Sequence, residues 1–88
     1  MNKKIKTAIA GYGVVGKKRH FYLNKNPNFS VVAICDQNEV NFDTKYQKIS
    51  FFHSYKELLS MDLDAVFVCM SNDMAAEVTI AFLKNNIN

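Results

Sequence analysis

Apolar residues in this chain come in short blocks, separated by polar stretches or by Gly and Pro. The first block, Ile5 to Ala10 (Ile-Lys-Thr-Ala-Ile-Ala), suits a buried strand. From Lys17 to Asn26 there is neither Gly nor Pro. A helix over Val14 to Asn26 is predicted to stop at Pro27, which disfavours helical geometry in the residue before it. Ser30-Val31-Val32-Ala33-Ile34-Cys35 is almost wholly apolar, as expected of a parallel strand covered on both faces, and it ends at Asp36. Gln37 to Lys48 is polar and poorly periodic, with room for a short helix around Val40 to Gln47. Ile49 to Phe52 reads as a short third strand. Ser54-Tyr55-Lys56-Glu57 fits a capping box, in which hydroxyl and carboxylate satisfy each other's orphan N–H groups, opening a short helix through Met61. Asp62-Leu63-Asp64 turns into Ala65 to Met70, the strongest strand signal in the chain. Ser71 or Asn72 then caps a last helix, Asp73 to Asn85, whose Ala76, Ile80 and Leu83 recur at helical spacing.

All three glycines fall within six positions, Gly11-Tyr12-Gly13-Val14-Val15-Gly16, between the first strand and the first helix. A strand, then G-x-G-x-x-G, then a helix is the setting in which this motif implies dinucleotide binding. The first Gly allows a tight turn, the second lets backbone approach a pyrophosphate, and the third lets helix and strand pack closely. The pyrophosphate would sit on N–H groups at the positive end of the helix. Asp36 ends the second strand 20 residues after Gly16, where a carboxylate can accept hydrogen bonds from an adenosine ribose. It would repel a 2′-phosphate, and neither Gln37 nor Asn38 supplies an Arg to welcome one, so NAD is favoured over NADP. Tyr12 either contacts the dinucleotide or packs inward.

Strands alternating with helices predict an α/β fold, a Rossmann-like parallel sheet with strand order 3-2-1-4 and helices on both faces. The ligand crevice then lies between the carboxyl ends of the first and fourth strands. Gly11, Tyr12, Gly13, Val14, Val15 and Gly16 line one side of it, and Met70, Ser71 and Asn72 the other.

Composition narrows the class further. Eighty-eight residues make one domain at most, and 49% hydrophobic residues are ample for a packed core. The best apolar run, Ala65 to Met70, is far too short to cross a bilayer. Met1-Asn2-Lys3-Lys4 resembles the start of a signal peptide, but the following stretch is broken by Gly11 and Gly13, so a cytoplasmic location is expected. Cys35 and Cys69 end strands that flank a central one, roughly 10 Å apart, which predicts reduced thiols. His20 and His53 stand apart and no metal-ligand spacing occurs, so no metal is expected. Seven of the eleven Lys and Arg precede Asp36, the first acid. Lys17, Lys18 and Arg19 either favour an anionic ligand nearby or form a solvated helix face. No nucleic-acid reading module is visible.

The chain resembles the Gfo/Idh/MocA oxidoreductases, the relatives of glucose–fructose oxidoreductase and inositol dehydrogenase. The resemblance is carried by Ile5 to Gly16, Val31 to Asp36, Ser54 to Leu59, Asp64 to Cys69 and the pattern of the last helix. His20 matches a position where a His often follows the glycine loop. The resemblance implies that this part binds NAD(P) and that a further, carboxyl-terminal domain binds a sugar, nucleotide sugar or polyol, with hydride passing between nicotinamide and substrate. After the fourth strand such proteins usually read Thr-Pro-Asn, with a His three residues beyond. Here the loop reads Met70-Ser71-Asn72, with Ala75 at the His position, so only Asn72 carries over.

The family's Glu-Lys-Pro segment, which brings the catalytic Lys, would begin just beyond Asn88. No catalytic residue is therefore assigned within residues 1–88, and the chain is expected to be the dinucleotide-binding amino-terminal fragment of a longer enzyme. Without a fifth strand, Ala65 to Met70 would be an apolar edge, and such edges recruit other chains, so a homo-oligomer is expected. Two other classes stay open: a non-catalytic NAD(H)-binding or sensing module, and a methyltransferase with a related glycine loop. The spacing from Gly16 to Asp36 favours NADH over S-adenosylmethionine.

Overall fold

In a computed structural model, which describes residues 4–38, 49–70 and 72–84, the apolar blocks become strands and the intervening segments helices. In chain order these are β1 (Ile5–Ala10), α1 (Val14–Asn24), β2 (Phe29–Cys35), β3 (Ser50–Phe52), α2 (Tyr55–Leu58), β4 (Ala65–Val68) and α3 (Asn72–Lys84). The strands form one sheet in the order β3-β2-β1-β4, and every pairing is parallel. This is the Rossmann-like arrangement, with β1 in the interior and all strand carboxyl ends on one side.

Side chains alternate across a strand, so each β1 residue is assigned to a face. Ala8 and Ala10, with Ala33 and Cys35 of β2, pack against Leu58, Leu63, Val78 and Phe82 on the α2–α3 side. Ile9 and Ile34 pack with Tyr12 and Leu23 on the α1 side. The register of β1 on β2 shifts between Thr7 and Ala8, which pair with Val31 and Ala33. Beyond that shift Ala8 pairs with Ala33 and Ala10 with Cys35, which keeps the small residues together on one face. At the opposite end of the sheet, the Asp64 amide donates to the Lys6 carbonyl and the Lys6 amide to the Asp64 carboxylate, and with the Lys6–Asp62 ion pair they hold the turn before β4 against β1.

Several element ends differ from expectation, each for a local reason. α1 stops at Asn24, not Asn26, because Lys25 and Asn26 donate to Tyr22 and Leu23 in tighter turns and the Asn26 side chain accepts from the Asn28 amide. β4 ends at Val68, not Met70: its partner β1 turns away at Gly11, leaving a last bond from Cys69 N–H to the Ala10 carbonyl at 2.7 Å. β2 begins one residue early, at Phe29, where Ile5 offers a partner, and β3 one residue late, at Ser50. Ser54 caps α2 through the Lys56 N–H at 3.2 Å, while the Glu57 N–H donates to the Ser54 carbonyl. That helix closes after Leu58 and continues as turns through Met61, so the expected longer helix is a single turn. α3 runs from Asn72 to Lys84. The helix expected around Val40 to Gln47 lies outside the described residues, as does Ser71.

Candidate dinucleotide site

The sheet ladder delivers the glycine turn to the carboxyl edge. Gly11 N–H donates to the Cys35 carbonyl at 2.7 Å, continuing the β1–β2 pairing into the turn. Gly11 then adopts φ +98°, and a Cβ there would lie 2.5 Å from the Cys69 carbonyl oxygen. Both facts require glycine. At Gly16, on the buried side of α1, a Cβ would overlap the Gly11 carbonyl oxygen, so its absence lets helix and turn touch. Gly13 is different. Its φ is −83°, and a Cβ there would meet none of the described residues within 4 Å. Neither backbone conformation nor internal packing asks for glycine at position 13. The open space lies where a group from outside would approach.

Gly13 is also the N-cap of α1, with no side chain to satisfy the first-turn amides and no acid in that turn. Beside it, a cleft of about 260 Å³ is lined by Gly11, Gly13, Asp36, Gln37, Asn38, Cys69, Met70 and Met74. A second hollow of about 180 Å³ shares Asp36, Gln37, Met70 and Met74 with it and extends to His53, Ser54 and Tyr55. The carboxylate and the glycine turn therefore lie on the same edge of the sheet. Asp36 is tied into place: Oδ2 accepts from Tyr12 N–H at 2.7 Å and Oδ1 from Asn38 N–H at 2.9 Å. A carboxylate offers about four acceptor positions, so two bonds leave capacity for hydroxyl donors.

The profile of an oxidoreductase family described as having an NAD-binding Rossmann fold, Gfo/Idh/MocA, matches residues 5–88. The chain belongs to the Gfo/Idh/MocA oxidoreductase family. A search of curated proteins finds no significant match. Among solved structures, myo-inositol 2-dehydrogenase from Lactobacillus plantarum superposes with a TM-score of 0.88 at 23% identity, over 98% of this chain and 27% of that one. A scyllo-inositol dehydrogenase from Lactobacillus casei, solved with NAD(H) and scyllo-inositol, gives 0.86 at 20% identity, over 98% and 27%. A dipicolinate-bound dihydrodipicolinate reductase from Paenisporosarcina sp. TG-14 gives 0.82 at 23%, over 97% and 36%. At such identities the likeness concerns the fold, which serves different substrates in these proteins. The chain spans little more than a quarter of the length of the two inositol dehydrogenases.

Within this Gfo/Idh/MocA chain, the structure sorts the residues singled out from sequence. Gly11, Gly13, Asp36 and Met70 meet in the cleft. Gly16 supports the turn from beneath. Val14 and Val15 expose their side chains to solvent, so only their backbone amides at the start of α1 face the ligand question. The Tyr12 side chain packs inward: it is 4% exposed and its hydroxyl lies 2.7 Å from His20 Nδ1. It is a buried strut and not a lid over the loop. Asn72 opens α3, and Ser71 lies outside the described residues.

Lys17, Lys18 and Arg19 are exposed and none lines the cleft, so they form a solvated helix face. Arg19 extends over the Phe67 ring, 5.6 Å from its centroid. Cys35 and Cys69 are both free thiols. Burial pushes Cys35 up to about 11, and burial likewise raises Cys69 against the opposing pull of Arg19. Both are protonated at neutral pH and poor nucleophiles.

Sequence reading missed Gln37, Asn38, Cys69 and Met74 as lining residues, and the Tyr12–His20 contact. Gln37 and Asn38 directly follow Asp36, and Met74 lies in the first turn of α3. Adjacency was the signal for them. A pair eight residues apart across a turn and a helix start leaves no pattern in one sequence.

Proposed function

We propose that this chain holds NAD(H) as the dinucleotide-binding part of an oxidoreductase that transfers hydride to or from a sugar, nucleotide sugar or polyol. Gly13 carries the reading: it is the one glycine of the turn whose missing side chain relieves no contact with the described residues. A pyrophosphate resting on Gly13 and on the amides of Val14 and Val15 accounts for that empty space and for the uncapped helix start. Asp36, fixed by Tyr12 and Asn38, would accept from the adenosine ribose hydroxyls. Met70 and Asn72 would flank the nicotinamide side. The bound cofactor would supply the hydride chemistry, while these residues bind and orient it.

NAD is favoured over NADP. Asp36, Gln37 and Asn38 bring a carboxylate and no cation to the ribose end of the cleft. The polyol class is suggested by the inositol dehydrogenases among the structural neighbours.

Titrating the purified chain with NAD, NADH, NADP and NADPH tests the reading. NAD and NADH are expected to bind and the phosphorylated pair to bind more weakly. Asp36→Ala should weaken NADH binding by roughly 10- to 100-fold, as expected for hydrogen bonds to a charged group. Absence of binding by all four, or unchanged affinity in Asp36→Ala, overturns the assignment. Displacement of NADH by S-adenosylmethionine would point to the methyltransferase class instead.

A further inference from the structure

We infer that His20 is a positioning residue for dinucleotide binding: through the Tyr12 hydroxyl it holds the glycine turn in the shape that aims the Asp36 carboxylate into the cleft. The inference rests on the dinucleotide reading of that cleft. Tyr12 stands between Gly11, in the left-handed region, and Gly13. Such a turn has few restraints of its own, because glycine is the most conformationally free residue. Its shape must be imposed from outside, and Tyr12 is held at both ends. Its amide donates to Asp36 Oδ2 at 2.7 Å, and its hydroxyl meets His20 Nδ1 at 2.7 Å. The two rings sit edge to face, 5.6 Å apart.

α1 brings His20 beneath the turn because Gly16, His20 and Leu23 share its buried face. An aliphatic residue would fill that place without the cost of burying an imidazole. His20 is 1% exposed, and burial lowers its pKa, which keeps the ring neutral near pH 7 with one nitrogen a donor and the other an acceptor. In either tautomer Nδ1 bonds the phenol, as acceptor or donor. The contact therefore runs from α1 through Tyr12 to Asp36 at the end of β2, and to Gly11 and Gly13, which flank Tyr12 and line the cleft.

The free protein and its NADH affinity give separate tests. In the free protein, His20→Leu should move the backbone amide resonances of Tyr12 and Asn38, the two donors to Asp36. Both Tyr12→Phe and His20→Leu should weaken NADH binding by about five- to tenfold. His20→Gln, which keeps a hydrogen-bonding group near the phenol, should recover most of that loss. The double variant Tyr12→Phe/His20→Leu replaces a polar pair by an apolar one, so its stability should return toward wild type while its affinity stays low. In an Asp36→Ala background, Tyr12→Phe should weaken NADH binding by less than it does in the wild type, since part of the positioning acts through that carboxylate. Unmoved Tyr12 and Asn38 resonances overturn the inference. So do wild-type affinity in the single variants and losses that simply add to that of Asp36→Ala. Failure of the wild-type chain to bind any dinucleotide would instead remove the reading on which the inference stands.

Discussion

Against α2 and α3 the sheet presents Ala8, Ala10, Ala33 and Cys35, and the helices answer with Leu58, Val78 and Phe82. Against α1 it presents Ile9 and Ile34, and α1 answers with Leu23, Gly16 and a histidine bonded to a tyrosine. The first face needs only volume and apolar surface. The second also carries a turn whose glycines have no side chains with which to anchor themselves. Polar partners are spent in the core on that side because the turn must be held by its neighbours. Stability and binding are thus expected to separate by face.

The largest effect should come from the apolar face. Phe82 is 2% exposed and packs edge to face on Tyr55, so Phe82→Ala should cost about 3–5 kcal/mol in urea unfolding. The NADH affinity of the fraction still folded should be unchanged; a parallel affinity loss would erase the distinction between faces. The glycines sharpen it further. Gly16→Ala forces a Cβ against the Gly11 carbonyl, a backbone group that cannot swing aside, and should cost about 1–3 kcal/mol or more together with binding. Gly13→Ala meets none of the described residues, so its stability should stay within about 0.5 kcal/mol of wild type while NADH affinity falls about tenfold. Equal stability losses for the two would refute their separate roles.

The smallest effect concerns pH. Burial holds the folded-state pKa of His20 below its ordinary 6.5. As pH falls below 6.5, the unfolded chain takes up the proton first, so folding stability declines until the folded pKa is reached. Above 6.5 both states are neutral and this contribution is flat. Urea midpoints compared between wild type and His20→Gln should therefore diverge only on the acid side, with wild type losing more.

Much of this fold was legible because periodicity and punctuation agreed. Ile5–Ala10 and Ser30–Cys35 read as strands from their apolar runs, and Pro27 and the clustered glycines marked the breaks. The parallel sheet followed from alternation and crossover handedness, and the order 3-2-1-4 from the dinucleotide-binding arrangement that the glycine motif implies. Element ends were less legible, since they depend on partners. β4 stops where β1 bends at Gly11, and α2 is cut to one turn by hydrogen bonds that a capping pattern does not reveal. At the cleft, residue types and spacing pointed to Gly11, Gly13 and Asp36. Whether Tyr12 faces ligand or core could not be read, because the answer lies in an imidazole eight residues away.

The most direct measurement is a ¹⁵N–¹H correlation spectrum of the chain titrated with NADH. The largest shifts are expected at the amides of Gly11, Gly13, Val14 and Val15 and of Asp36 to Asn38, with Leu58, Val78 and Phe82 almost still. Shifts centred on Ile5, Asn28 and Asp64, at the other end of the strands, would contradict the placement of the cofactor at the glycine turn.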